Sequence, residues 1–189
     1  MTKIAIVFHS GYGHTKKVAE SVRAGAAAAG ASVDLVAIDA EGTIPDAGWE
    51  TLKAADGIVF GSPTYMGMVS WQFKKFADAS SKPWHTMDWK GKIAAGFTNS
   101  ATLNGDKGST IAYLALFAAQ HKMLWTGTGM HPSNAKSSTR DDLNNLGGYQ
   151  GLLVVSPSDA GVDEMILGDL KTAEAFGASV AEVVKSVKG

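Results

Sequence analysis

The sequence predicts a doubly wound α/β fold, a parallel sheet with helices on both faces, and three observations predict it. Short apolar runs without polar alternation recur along the chain, as in strands buried on both faces. Between them lie segments with apolar residues at three- and four-residue spacing, so that strand and helix alternate. Polar loops carrying glycine and hydroxyl residues follow the strands, where ligands bind in such sheets.

The first strand is Ile4-Ala5-Ile6-Val7-Phe8, and the helix after it carries Val18, Ala19, Val22, Ala26 and Ala29 on one stripe before Gly30 stops it. Ser32 to Ile38 is the second strand, with Asp34 marking an exposed edge, and Asp39 follows its end. Residues 40 to 48 form a loop, and Trp49 to Ala55 make a short helix. Ile58-Val59-Phe60 is the third strand, followed by a loop from Gly61 to Met68. A helix then places Val69, Phe73, Phe76 and Ser80 on one stripe with Lys74, Lys75 and Asp78 opposite, and Pro83 is expected to end it. Trp71, Phe73 and Phe76 are expected in the core. Lys92 to Thr98 is the fourth strand, Asn99 to Asp106 its loop, and the next helix runs through Ile111, Leu114, Ala115 and Ala118. Met123 to Thr126 is the fifth strand.

Residues 129–165 carry Gly, Ser, Asn and Asp clusters, with Leu152 to Val155 a further strand candidate among them. A stretch of that length is expected to serve function or assembly. Gly147-Gly148-Tyr149 would close a site or make a turn. The last helix shares one face among Leu170, Ala173, Gly177, Val180, Val184 and Val187.

With 189 residues, 45% apolar and 19% charged, the chain fits one domain, 1–189, with a sizeable core. A net charge of −1 offers no basic surface for a nucleic acid. The absence of cysteine removes disulfides, thiol nucleophiles and thiolate metal sites. The five histidines are scattered and no acidic cluster has ligand spacing, so no metal is expected. No Gly-x-Ser-x-Gly elbow is present. Without an apolar run near membrane length or a leader pattern, a cytoplasmic protein without a membrane partner is expected.

The loop Ser10-Gly11-Tyr12-Gly13-His14-Thr15 reads as a phosphate cradle. It joins a buried strand to a helix N-terminus, whose free amides and positive partial charge attract an anion. It holds no Lys or Arg, so the donors are backbone amides and the hydroxyls of Ser10 and Thr15. A Walker loop would need a lysine where His14 stands, and a dinucleotide fingerprint would need glycine where Lys16 stands. The dinucleotide reading survives through Asp39, which could reach a ribose.

Three loops, Ser10 to Thr15, Ser62 to Gly67 and Asn99 to Asp106, are brought together by the sheet rule. With Trp84 a few residues before the fourth strand, this ordered set resembles the WrbA-type NAD(P)H:quinone oxidoreductases of the flavodoxin-like fold. The resemblance covers nearly the whole chain. It implies a five-stranded sheet of order 2-1-3-4-5 and FMN as cofactor. Ser10, Gly11, Tyr12, Gly13, His14 and Thr15 would hold the FMN phosphate. Pro63, Thr64, Tyr65, Met66 and Gly67 would line the ribityl chain and one ring edge, and Asn99, Ser100, Ala101, Thr102, Leu103 and Asn104 the other. Tyr12 and Trp84 would form the catalytic neighbourhood, the first near the nicotinamide and the second over the flavin.

The implied activity is two-electron, ping-pong transfer from NAD(P)H to a quinone in one shared pocket, by a homo-oligomer, dimer or tetramer. The sequence departs from the family pattern in three places. Ala101, Leu103 and Asn104 occupy a loop that is glycine-rich in the family. A family histidine aligns on Gln120, with His121 beside it. The segment between strands two and three is short. Two other readings stand beside the enzyme: a flavodoxin-type electron carrier, and a Rossmann-type NAD(P)-binding protein without flavin.

Overall fold

The computed structural model describes residues 1–188. The elements are β1 (Lys3–His9), α1 (His14–Ala28), β2 (Ser32–Ile38), α2 (Asp46–Ala54), β3 (Gly57–Tyr65), β4 (Met68–Val69) and α3 (Trp71–Ala79). They continue as α4 (Ser81–His85), β5 (Ile93–Ser100), α5 (Lys107–Gln120), β6 (Leu124–Trp125), β7 (Leu152–Val155) and α6 (Leu167–Lys188). The central sheet runs β2-β1-β3-β5-β6 and its strands pair in parallel, the expected 2-1-3-4-5 order once the small hairpin strand β4 is set aside.

Side-chain alternation along each strand divides the core in two. Ala5 and Val7 of β1 face the layer of α2, α3 and α5, where Trp49, Phe60, Phe73, Phe76, Trp89 and Phe117 pack at aromatic distances. Ile4, Ile6 and Phe8 face α1 and α6, against Val18, Val22, Phe176, Val180 and Val184. These two helices meet backbone to backbone at Gly25 and Gly177, where a Cβ would run into the Glu174 and Val22 carbonyls. The edge strand β2 leaves Asp34 exposed, as its sequence indicates. Among the described residues no helix is long and apolar enough to cross a membrane.

Four local expectations are corrected. The third strand continues through Pro63 to Tyr65 and turns back as a hairpin, Thr64 pairing with Val69 and Tyr65 with Met68. Met66 (φ 49°) and Gly67 (φ 78°) form the two-residue turn, whose paired positive φ values match the strand twist. Pro83 does not end the preceding helix. That helix ends at Ser80, and Pro83 sits in the first turn of α4, where a missing N–H removes no bond. Trp71 is 59% exposed because it starts α3 on the outer side of the stripe that buries Phe73 and Phe76. The fifth sheet position is shared: β6 pairs with the start of β5, and β7 with Phe97 to Ser100 at its end.

Residues 126–151 lie between those half-strands and are tied down by polar contacts. Asn144, at φ 49° and buried, accepts from the Gly148 amide at 3.0 Å and donates to the Gly148 carbonyl at 3.1 Å, while its own amide donates to Thr172 Oγ1 at 2.9 Å. Arg140 donates to both carboxylate oxygens of buried Asp169 at 2.7 Å, and Asp169 also accepts from the Val155 amide at 2.9 Å. Gly147 and Gly148 thus make an internal turn.

Candidate functional site

At the carboxyl ends of β1, β3 and β5 lies a cleft of about 580 Å³. Three stretches anticipated from the sequence meet there: Tyr12, His14 and Thr15; Pro63, Thr64 and Tyr65; Asn99, Ser100 and Ala101. A fourth, Ser156 to Ala160 after β7, completes the lining. The sequence carries a signal for that loop: Ser156-Pro157-Ser158 follows the strand candidate Leu152 to Val155, and loops at the carboxyl ends of parallel strands are where ligands bind in such sheets.

The β1–α1 turn is a cradle built from backbone. Gly13 immediately before α1 holds φ at 93°, and a Cβ there would come within 3.0 Å of Val162 Cγ2. Ser10 Oγ accepts from the Gly13 and Lys16 amides, both at 3.1 Å, which fixes the turn from inside. The His14 and Thr15 amides at the start of α1 have no intrahelical acceptor, and both residues line the cleft beside Tyr12. A Cβ on Gly11 would stand 2.7 Å from the Tyr65 hydroxyl, so the hairpin closes on the cradle's glycine. His9, beneath the turn, is buried with Nδ1 unpartnered, and burial holds its imidazole below the usual range. The phenol of Tyr65 is shifted up by burial.

The floor is polar and satisfied. Thr64 Oγ1 lies 2.8 Å from both Thr98 Oγ1 and Thr110 Oγ1. The fourth loop is stitched to the other walls: the Ser156 hydroxyl donates to Asn99 Oδ1 at 3.0 Å, the Ser156 amide to the Ser100 carbonyl at 3.0 Å, and His14 Nε2 to the Ala160 carbonyl at 2.9 Å. Above the floor, Tyr12 is 80% exposed and meets Tyr65 edge to face at 6.4 Å between centroids. One side is therefore a donor-rich cradle and the other an aromatic flank open to solvent.

The remaining anticipated residues lie around or away from this cleft. Ser10, Gly11 and Gly13 form the cradle's frame. Met66 and Gly67 are at the hairpin tip, and Thr102, Leu103 and Asn104 lie on the exposed outer part of their loop. Trp84, 45% exposed, lines a separate hollow with Ser80, Tyr113, Leu116, Gln120 and His121, and Lys122 stands over its ring at 5.4 Å. Within one chain Trp84 is not brought to Tyr12. A shallow groove along Met66, Met68, Trp71 and Tyr113 runs between the two places.

Trp89 is a core residue whose ring lies tilted by 33° against that of His121, with centroids 4.1 Å apart. Ser80 donates to the Ala77 carbonyl, so His121 Nε2–H donates to Ser80 and its Nδ1 is left without a partner. Burial, with Lys122 nearby, pushes the His121 imidazole down to about 4. Asp39 is engaged in its own turn, accepting from the Thr43 hydroxyl at 2.6 Å and from the Thr43 and Glu41 amides, and these bonds hold its carboxyl below the usual range. It lines no part of the cleft.

Lys107 stands outside the anticipated set. The first residue of α5 is 1% exposed, and its ammonium donates to Ser100 Oγ at 2.7 Å, the Thr102 carbonyl at 2.6 Å and the Leu103 carbonyl at 2.9 Å. Burial brings its pKa down to about 8. Nothing in local periodicity marks a helix-start lysine as buried.

A family model described as NADPH-dependent FMN reductase matches residues 2–138. The chain belongs to that family. This member of the NADPH-dependent FMN reductase family is 50% identical to "Flavodoxin FldP" of Pseudomonas aeruginosa over 97% of each chain. It is 30% identical to an "NAD(P)H dehydrogenase (quinone)" of Archaeoglobus fulgidus over 99% of this chain and 100% of that one. Among solved structures it is similar to a flavodoxin, WrbA-like protein from Agrobacterium tumefaciens, with 47% identity, a TM-score of 0.80 and coverage of 98% and 99%. The fold is flavodoxin-like and the protein is of WrbA type, as the three loops imply.

Proposed function

We propose that the protein is an FMN-dependent NAD(P)H:quinone oxidoreductase. The observation that carries the reading is the pairing, in one cleft, of a backbone cradle without a cation and an exposed aromatic flank. The residues present fit FMN. Gly13, at φ 93°, turns the chain into α1 in a conformation that strains a residue with a Cβ, and amides at a helix start suit a phosphate monoester, each charge-assisted bond contributing about 1.5 to 3 kcal/mol. Names of relatives, among them a quinone dehydrogenase, support the activity, and the family's description supports FMN and NADPH.

In this reading Ser10, Gly11, Tyr12, Gly13, His14 and Thr15 hold the phosphate. Pro63, Thr64 and Tyr65 flank one edge of the cofactor, with Met66 and Gly67 at the rim. Asn99, Ser100 and Ala101 flank the other, with Thr102, Leu103 and Asn104 outside them, and Ser156 to Ala160 close the end. Bound FMN would supply two-electron chemistry between a nicotinamide and a quinone. Tyr12 stacks against the flat substrates that use the open face in turn. Trp84 borders that space from a neighbouring copy in a homo-oligomer.

The test is titration of the purified protein with FMN, then initial rates of NADH or NADPH oxidation with benzoquinone. Yellow protein and parallel double-reciprocal lines are expected, since each substrate leaves before the next enters. Intersecting lines would exclude the shared pocket, and failure to take up FMN would overturn the reading. A second reading, an electron carrier, is favoured by the flavodoxin name of the 50% identical relative. Against it stands a net charge of −1, too small for electrostatic steering of a redox partner. FMN uptake without NAD(P)H oxidation would select the carrier.

A further inference from the structure

We propose that Lys107 is a positioning residue for cofactor binding, its ammonium shaping the Ser100 to Gly105 loop into the wall that receives the ligand. The proposal rests on the reading of the cleft as an FMN site. An ammonium has three donors and no acceptor, and here all three are spent on this one loop. The loop curls around the ammonium: Gly105 and Asp106 both take φ of 51°, and the Ser100 hydroxyl, while accepting from Lys107, donates to the Thr102 carbonyl at 3.1 Å. Ser100 lines the cleft, and its carbonyl accepts from the Ser156 amide, so the same grip extends to the fourth loop. Glycines would let such a loop wrap a ligand by conformational freedom. This loop has Ala101, Leu103 and Asn104 instead, and an internal cation supplies the shape.

Among the described residues no carboxylate is bonded to the Lys107 ammonium. The charged groups facing it are Asp169 of α6 and Arg140 of the 126–151 segment, which are paired with each other; Asp106, next to it in sequence, is exposed. With its proton released near pH 8, the amine keeps two donors and turns a lone pair toward oxygen acceptors. Two effects of opposite sign follow. The folded pKa lies below that of an unfolded lysine, so between about pH 8 and about pH 10.5 this group makes the folded chain more stable as pH rises. Over the same range the loop loses a donor and its charge, and affinity for the ligand falls. A lysine that only supported the fold would not separate the two.

The experiment measures the FMN dissociation constant and the urea midpoint of the apoprotein between about pH 7 and about pH 9.5, for wild type, Lys107→Met and Lys107→Arg. The wild-type constant is expected to rise about tenfold across that range without a fall in midpoint. Lys107→Met should bind at least about tenfold more weakly at pH 7 with a flat profile, having lost charge-assisted bonds. Lys107→Arg, which stays charged, should hold its affinity to the top of the range. A wild-type constant flat across the range overturns the proposal without recourse to any variant. So does Lys107→Met with wild-type affinity, or a loss of affinity matched by an equal loss of stability. A wild-type protein that takes up no FMN overturns the cofactor reading and the proposal together, whereas tight wild-type binding with indifferent Lys107 variants overturns only the latter.

Discussion

Valine at position 13 would set the backbone of the cradle against its side chain. Gly13 holds φ at 93°, a region costing a residue with a Cβ about 1 to 2 kcal/mol, and a β-branched residue is an outlier there. The new Cβ would stand 3.0 Å from Val162 Cγ2, so the added methyls need Val162 and its short 3₁₀ turn to give way. Together these come to about 2 to 3 kcal/mol, or roughly 4 to 12 °C in Tm for a chain of this size. If the turn relaxes toward negative φ instead, the peptide joining Gly13 to His14 rotates and the His14 amide leaves the cradle. Loss of one charge-assisted bond to phosphate weakens binding by about 1.5 to 3 kcal/mol, roughly 10- to 150-fold in Kd. The assay is FMN titration of the apoprotein beside its thermal unfolding, with Gly13→Ala expected to fall between wild type and valine. An unchanged Kd in the valine variant, with the loss of Tm present, would place the ligand elsewhere and refute the cradle.

Other perturbations probe the parts that hold the site in place. Arg140→Met strands the Asp169 carboxylate, whose side chain is 4% exposed against 29% for Arg140. The expected loss is about 2 to 4 kcal/mol, below the fully buried range because Arg140 is partly solvated. Burial raises the Asp169 pKa even beside Arg140, so this carboxyl binds its proton more readily folded than unfolded, and the variant's deficit should shrink as pH is lowered; urea midpoints at successive pH values check this. His121, pushed down to about 4, has the opposite sign: the unfolded chain takes up a proton first as pH falls from 6.5 to about 4, and stability is lost across that window. His121→Gln should flatten the acid limb by up to one proton's slope, about 1.4 kcal/mol per pH unit, with His9 leaving a residual slope of the same sign. An acid limb of unchanged steepness in that variant would mean His121 is not buried as a neutral ring.

Much of the candidate site's geometry was legible because it is local. The cradle needs a buried strand, a glycine turn and a helix start in succession, and Ile4 to Val22 spell these out. The same holds for Asp34 on the edge strand and for Phe73 and Phe76 on an inward stripe. Legibility failed where a residue's surroundings are set by distant segments. Trp84 looks like a lid residue beside the fourth strand, yet within one chain α4 turns it toward Gln120 and His121, so whether it borders the cleft depends on a neighbouring copy. Asp39 looks poised for a ribose, yet its own turn saturates it. Thr64 and Tyr65 read as loop because Pro63 and Gly67 punctuate them, whereas sheet pairing to β5 carries the strand through Pro63.

The alternation of strands and helices, the two-sided burial of the sheet and the backbone cradle follow from residues a few positions apart, since apolar period and turn residues act over near neighbours. Tertiary structure decided the fourth wall at Ser156 to Ala160, the sharing of the edge position by β6 and β7, and the burial of Lys107 inside its loop. Those depend on which polar groups find partners dozens of residues away once water is excluded, and a buried donor or acceptor is stable only where the whole fold delivers its counterpart.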